Sequence, residues 1–451
     1  MTTSGGPPAP RPPWSRTQRA VPRLVLRPVQ EFMHLEASGG LVLLAATIAA
    51  LIWANLAGGS YTDFWSTEVS LRVGDFLVVE DLQHVVNDGL MAIFFLVVGL
   101  EVKRELVVGE LSTRQAALLP AFAAAGGMVL PALIFLAVMG GQAGSRGWGI
   151  PMATDVAFAL GALAALGARA PTALVAFLLG VAVIDDIGAI LVVAVYYTDV
   201  ITLAWLATAL AGMALIVVLQ RIHVRYIGVY VVLGIAIWFA TFQSGVHATI
   251  AGVALGLLTP VRPFQKPAAV SAEAVRIAEA TDDVPDDPDA DAAQWRRLAF
   301  LSREAVSPLV RLEHGLHQWS SFVVLPIFAL ANAGIVLDSA SFTAATETPV
   351  ALAVALGLLV GKAVGLTLGV ALAVALGLST LPRGVGWAHI VGVGALAGIG
   401  FTVSLFITGL AYSDPDVIAA AKIGVLGGSA VAAAVGIALL ALADRRAPRR
   451  R

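Results

Sequence analysis

From about residue 34 to residue 443 the chain alternates long apolar runs with short polar connections. The runs are about 17 to 27 residues long, and at 1.5 Å per helical residue that length crosses a hydrocarbon layer of about 30 Å. They are apolar all round rather than along one stripe, as lipid-surrounded helices require. Twelve spans are predicted, centred near Ala46, Ile93, Met128, Ala159, Val183, Ala209, Leu233, Gly252, Leu325, Leu359, Gly398 and Gly428. The alternating ten-residue pattern of an outer-membrane barrel is missing. The expected fold is therefore an all-α polytopic membrane protein of twelve transmembrane helices.

Three stretches break the pattern. Residues 1–33 carry PPAPRPP and then Arg16, Arg19, Arg23 and Arg27, with nothing to bury, and read as a disordered, basic, uncleaved cytoplasmic tail. Between spans one and two, Glu68 to Glu80 alternates in strand fashion around a Gly-Asp turn and predicts a small external β-hairpin. A lone hairpin is marginal unless it pairs, which points to a homodimer contact. Within the long acidic cytoplasmic loop 261–310, TDDVPDDPDADAA carries six aspartates among prolines and alanines and reads as a solvated, disordered stretch, with cation sensing as the alternative. Residues 444–451 form a short basic tail, leaving 34–443 as the transmembrane domain.

Composition agrees: 58% of residues are hydrophobic and 13% charged, with a mean hydropathy of +0.87. There is no cysteine, so disulfides and thiolate metal sites are excluded. Charge placement says more than the net charge of −2. With loops assigned to alternate sides, only Arg72 and Arg146 of the 28 Lys and Arg fall opposite the termini. Lys362 and Lys422 lie within spans, and the remaining 24 share the side of the termini. The positive-inside rule puts that side in the cytoplasm.

An ionised side chain at the centre of a span costs at least about 2.5 kcal/mol, so each one asks for a function. The candidates are Asp88 in span two, Asp155 in span four, Asp185 and Asp186 in span five, His247 in span eight, Lys362 in span ten and Lys422 in span twelve. Neighbours on a helix point about 100° apart, so Asp185 and Asp186 share a cavity only if span five lines it broadly, and they then repel. A proton on one relieves that repulsion. A hard monovalent cation such as Na⁺ or Li⁺ prefers oxygen ligands and would compete with that proton. Competition for one site, opened to each side in turn, suffices for exchange.

Two spans carry breaks. Span four opens GIPMATD, where Pro151 cannot donate a backbone bond and Thr154 and Asp155 can accept freed amides. Span eleven contains GVGALAGIGFT, with Gly398 and Gly400 at its centre. In span ten Gly357, Gly361, Gly365 and Gly369 line one face for close helix packing and hold Lys362 at a fixed depth. At the cytoplasmic edge GLEVKRE brings Glu101, Arg104 and Glu105, and RLEHGLH brings Glu313, His314 and His317. Histidines beside acids can change charge between about pH 6 and 8 and serve as a sensor.

The motifs ALMAIFFLVVGLEVKREL, PMATDVAFALGALAALG, VIDDIGAI, SGVHATIAG, RLEHGLHQW, FALANAG, GKAVG and GIGFTVSLFI run in order from span two to the end. Together they resemble the NhaA-type sodium/proton antiporters of bacterial inner membranes. This family is itself a standing example of inverted-topology repeats with broken helices, so that expectation belongs to the resemblance. The resemblance implies that helices four and eleven unwind and cross near the ion site. It implies electrogenic exchange of cytoplasmic Na⁺ or Li⁺ for external H⁺, activated at alkaline pH, by a transporter rather than an enzyme. No cofactor and no nucleic acid are implied; the partners are lipid, the transported ions and a second protomer joined through the hairpin. By motif position Asp185 and Asp186 would bind the cation and protons, with Asp186 the ion ligand and Asp185 the partner of Lys362. Thr154 and Asp155 would sit at the helix break, with Asp155 balancing the helix ends. Glu101, Arg104, Glu105, Glu313, His314 and His317 would line or sense the cytoplasmic funnel, and His247 would influence the pH response. Lys362 is followed by Ala363, where related sequences often carry proline.

Two other function classes fit less well. An intramembrane aspartyl protease needs aspartates on separate helices facing one another, whereas the closest pair here is adjacent on one helix. An organic-anion symporter of the same fold would be expected to lack the Asp-Asp pair.

Overall fold

The structure is a computed structural model and describes residues 38–57, 59–73, 76–164, 171–198, 201–281, 288–338, 343 and 346–446. The N-terminal tail 1–33, the tip 282–287 of the acidic loop and the end of the C-terminal tail, 447–451, lie outside the described residues. In chain order come α1 (Ser38–Leu56), a short helix Ser60–Trp65, strands β1 (Glu68–Val73) and β2 (Phe76–Asp81), α2 (Leu82–Val107) and α3 (Arg114–Met139). A 3-10 segment, Ala143–Met152, resumes after a break as α4 (Val156–Ala164), followed by α5 (Thr172–Tyr196), α6 (Leu203–Arg221), α7 (Ile227–Gln243) and α8 (Ala248–Leu258). Next are α9 (Pro267–Thr281), α10 (Pro288–Glu304), α11 (Pro308–Trp319) and α12 (Leu325–Asn332). The chain closes with α13 (Val350–Ala375), α14 (Trp387–Leu396), α15 (Phe401–Ala411) and α16 (Pro415–Arg446).

Seven of the described helices are long and apolar enough to cross a membrane, nine if each bent pair counts as one span, and α7 and α8 are shorter apolar helices. The chain is a multi-pass helical membrane protein. α1 shows how each surface is used: Leu41, Leu44, Ile48 and Ile52 are exposed, while Leu43, Ala46, Ala50 and Ala54 are buried. Large apolar residues face outward and, Leu43 apart, small ones face the bundle, as membrane helices need when contact rather than water expulsion drives packing.

Glycines set the closest approaches. A Cβ on Gly361 would press on Pro131, one on Gly365 would strike the Gly126 carbonyl, and one on Gly369 the Phe122 carbonyl. Because one number rises as the other falls, α3 and α13 are antiparallel and touch backbone to backbone. α2 and α8 pack equally tightly but parallel, Gly252 against Ala92 and Gly256 against Leu96.

β1 and β2 pair antiparallel, from Glu68 opposite Asp81 to Val73 opposite Phe76. Beside them Trp53, Tyr61, Phe64 and Trp65 form a cluster of ring contacts. The Tyr61 hydroxyl donates to the Leu330 carbonyl at 2.8 Å, and burial pushes its phenol up to about 12, so it stays neutral.

The loop between α8 and α11 holds α9 and α10, and Pro288–Ala293 of the acidic stretch, expected to be disordered, belong to α10, while 282–287 of that stretch lie outside the described residues. The reasons are local. Both helices begin at proline, where the missing amide costs nothing, and both are rich in alanine. Val270 and Ile277 give α9 a buried stripe. Glu273 pairs with Arg276 on its own helix at 2.6 Å and reaches Arg297 on α10 at 3.5 Å, which holds the Glu273 carboxyl below its ordinary range.

The close approach predicts that Gly365→Leu lowers the thermal unfolding temperature in detergent by the equivalent of about 1–3 kcal/mol. Gly427→Ala, at an exposed helical site with nothing within 4 Å of the added carbon, should leave it unchanged or slightly higher.

Candidate functional site

Two broken helices meet at the centre of the bundle. The 3-10 segment and α4 are bent by 41° around residues 153–155, and α14 and α15 by 48° around residues 397–400. At these breaks the helical ladder stops, so amides and carbonyls need other partners. Each break supplies them to the other. Asp155 donates its backbone N–H to the Ile399 carbonyl at 2.6 Å. Its Oδ1 accepts from Phe158 N at 3.1 Å, capping α4, while its Oδ2 accepts from Thr402 N at 3.1 Å and from Thr402 Oγ1 at 2.6 Å, capping α15. One buried carboxylate thus closes two helix N-termini, whose partial positive charges it also balances. Ser404 Oγ donates to the Ile150 carbonyl at 2.7 Å, and Gly400 N donates to Ser429 Oγ on α16 at 3.2 Å.

Beyond the breaks, two tyrosines pin the 3-10 segment. Tyr197 donates to the Arg146 carbonyl at 2.8 Å and Tyr412 to the Gly144 carbonyl at 2.6 Å; burial raises both phenols above their ordinary range.

α5 carries the paired aspartates near its middle, facing the breaks. Asp185 is 1% exposed, Lys362 0% and Thr154 1%. Lys362 Nζ donates to Asp185 Oδ2 at 2.5 Å, and Thr154 Oγ1 lies 2.7 Å from the same oxygen and 2.9 Å from the Ala397 carbonyl. A hydroxyl has one proton, so carboxylate and carbonyl compete for it. Asp185 Oδ1 is buried and has no hydrogen-bond partner. An orphaned, desolvated carboxylate oxygen is expensive, and a proton or an oxygen-seeking cation would satisfy it. Asp186, one residue on, is partly exposed and has Glu101, Asp185, Asp155 and Lys362 as its charged neighbours. The adjacent aspartates therefore face different surroundings, one locked in a buried pair and the other partly exposed, with Glu101 among its charged neighbours.

Lys362 reaches Asp185 because of two features of α13. A π-turn, Gly357–Gly361, ends immediately before it and widens the helix there. Its methylene stem lies along α3, where a Cβ on Gly127 would stand 3.7 Å from Lys362 Cδ.

The acidic and basic residues expected at one end of the bundle also converge. Arg104 on α2 pairs with Glu105 at 3.1 Å and with Glu313 on α11, and Glu105 accepts from Glu110 N at 2.9 Å. Glu101 lies in the field of Arg104, Glu313 and Glu105, and His317 in that of Glu313, His314 and Arg104. Lys103 Nζ donates to the Leu257 carbonyl at the end of α8. His247 does not join this cluster: it precedes the opposite end of α8, with its ring 6.4 Å from that of Phe406. Asp88 stands apart too, in the π-turn Val85–Leu90 near His84 and Glu80, and Lys422 sits half-buried on α16.

Gly398 and Gly400 lie within the 397–400 interruption, and Pro151 lies in the 3-10 segment just before residues 153–155. Sequence reasoning missed the roles of Thr402, Ser404 and Ser429. A hydroxyl residue just after a glycine-rich interruption was the available signal for Thr402; nothing marked Ser429, which comes from a separate helix. Among the described residues no three His, Asp or Glu converge as a metal cluster.

A profile of the Na⁺/H⁺ antiporter 1 family matches residues 30–440. The chain is similar to Na⁺/H⁺ antiporter NhaA 2 of Sorangium cellulosum, 46% identical over 443 residues that cover 97% of this chain and 94% of that one. It is also similar to NhaA of Rhodopirellula baltica, 45% identical over 92% of this chain and 94% of the relative, and to NhaA of an Anaeromyxobacter species, 45% identical over 98% and 96%.

Removing one member of a buried ion pair leaves an uncompensated charge, at a cost of about 3–5 kcal/mol. Lys362→Ala and Asp185→Ala should each lower the unfolding temperature markedly, while the double variant loses less than the sum of the two. Additive losses in that cycle would mean that the pair carries no coupling.

Proposed function

The chain belongs to the Na⁺/H⁺ antiporter 1 family, and from that premise we propose how its own residues exchange sodium for protons. The observation that carries the proposal is the Asp185 carboxylate, engaged through one oxygen by Lys362 and Thr154 and unpartnered at the other. The resting site holds the Lys362 ammonium against Asp185. Na⁺ or Li⁺ entering past Glu101 binds oxygens of Asp186, Asp185 and Thr154, taking over the charge balance that Lys362 supplied. Separated from its counter-charge in a dry site, Lys362 releases its proton, and Asp186 exchanges its own proton for the cation. Two protons then move against one Na⁺, which makes the cycle electrogenic.

Asp155 is the fixed member of the set. Held by three donors from α4 and α15, it keeps the two helix N-termini together while the breaks move. We read the bundle as twelve spans, counting α7, α8 and the α11–α12 helix alongside the nine apolar spans, with the broken helices as equivalent members of two inverted repeats. We read both termini as cytoplasmic and the membrane as the bacterial inner membrane; the Lys and Arg distribution supports that orientation. On that orientation the cluster of Glu101, Arg104, Glu105, Glu313, His314 and His317 lines the cytoplasmic mouth. Arg104, bridging α2 and α11, gives it a route to report proton concentration to the site. His247 would act from the outer half, through Phe406. The β1–β2 hairpin is proposed as the homodimer contact, since a two-stranded sheet leaves both edges open.

Everted vesicles holding an acid-inside gradient should lose that gradient on addition of Na⁺ or Li⁺, and Asp186→Asn should abolish the response. An Asp186→Asn protein that dissipates the gradient as the parent does would overturn the ion-site assignment.

A further inference from the structure

The helical hairpin α9–α10 has no part in the exchange site, and its root is fastened to the end of the bundle. Glu304, 4% exposed, accepts from Arg225 Nη1 at the head of α7 at 2.7 and 2.6 Å and from Gln265 Nε2 at 3.2 Å. Arg225 lies over the Phe264 ring at 5.0 Å, and Leu309 N donates to the Pro260 carbonyl at 3.2 Å. The last turns of α10 are therefore held where α8 ends and α11 begins, at the level where membrane helices leave the hydrocarbon.

α10 has two faces. Leu298, Leu301 and Glu304 turn inward and are buried or half-buried. On the other side Trp295, Ala299, Arg303, Arg296 and Phe300 occupy one arc of about 140°, all exposed. Trp295 is 49% exposed and Phe300 56%. Two large aromatic rings interleaved with two arginines, within about 14 Å of a membrane boundary, make a surface of amphipathic rings and snorkelling cations suited to the headgroup layer. Exposed Arg262, Lys266 and Arg311 extend the positive charge around the root. No member of the arc is acidic, and the six aspartates of this loop all precede it in the sequence, so the arc's own charge favours an anionic surface.

We propose that the exposed arc of α10 docks on the surface of an anionic phospholipid bilayer, Trp295 and Phe300 entering the headgroup layer and Arg296 and Arg303 meeting lipid phosphates. This contact would lay the hairpin along the membrane at the end of the bundle that carries Arg104 and Glu313. It stands independently of how the ion site works.

The chain has no cysteine, so Ala299→Cys gives a single labelling site within the arc. The full-length protein carrying an environment-sensitive fluorophore there is placed in detergent micelles, in phosphatidylcholine nanodiscs and in phosphatidylcholine/phosphatidylglycerol nanodiscs. Quenching by iodide is measured in each. Docking predicts quenching at least about two-fold weaker in the phosphatidylglycerol discs than in the other two, with a blue-shifted emission. Combining Arg296→Glu and Arg303→Glu should remove that protection. Equal quenching in all three environments would overturn the proposal. So would protection that is as strong in phosphatidylcholine alone, or that rises with protein concentration in detergent, which would assign the arc to a second copy of the chain.

Discussion

A carboxylate removed from water has to be partnered at all times, and Asp185 is built so that only one of its oxygens is. Oδ2 receives the Lys362 ammonium and sits beside the Thr154 hydroxyl, while Oδ1 is buried and unpaired. In a low-dielectric interior an isolated ionised carboxyl costs many kilocalories per mole, so any state in which Lys362 departs demands another positive charge at once. A proton, a lysine ammonium and a dehydrated monovalent cation are the available substitutes. On the proposed assignment of the site, exchange follows from this constraint: the groups would exclude one another because they satisfy the same oxygens.

The surrounding bundle makes that exclusivity possible by fixing distances. α3 and α13 approach to backbone contact through Gly126, Gly361, Gly365 and Gly369, and the Lys362 stem lies beside Gly127 of α3, immediately after the π-turn. On the other side Asp155 ties α4 and α15 through Thr402 and Phe158, so the interrupted helices keep their polar ends satisfied without a continuous ladder. Thr154 belongs to both systems, lying between the Asp185 carboxylate and the Ala397 carbonyl. A change in the charge of Asp185 therefore changes whether the Thr154 proton serves that carboxylate or the Ala397 carbonyl of the other break. That is a physical link between what occupies the site and how the two breaks are held together.

Much of this was legible in the chain. Asp185, Asp186, Asp155 and Lys362 declared themselves because charge is costly inside a span, and Pro151, Gly398 and Gly400 because they interrupt a helix. The glycine period of span ten named the face on which α3 packs. Other features depend on tertiary placement. Ser429 joins the break from α16, Arg104 meets Glu313 across 209 residues, and no periodicity reports such encounters. The sequence misled at one point: the aspartates and prolines after residue 281 suggested disorder, yet Pro288–Ala293 of that stretch form the start of α10, behind a helix-starting proline. Composition is averaged over a window, whereas helix formation depends on where the prolines fall within it. The sequence equally gave no hint that His247 stands at the far end of α8 from the acidic cluster.

The central claim, that cation and proton contend for the same carboxylate oxygens, is tested most directly by proton release on ion binding. Purified protein in weakly buffered detergent is titrated with NaCl while pH and binding heat are followed together, with choline chloride as the control. Competition predicts that Na⁺ and not choline releases protons, and that the apparent Na⁺ affinity weakens as the pH is lowered. Na⁺ binding that evolves heat, releases no protons and keeps the same affinity across pH would contradict it.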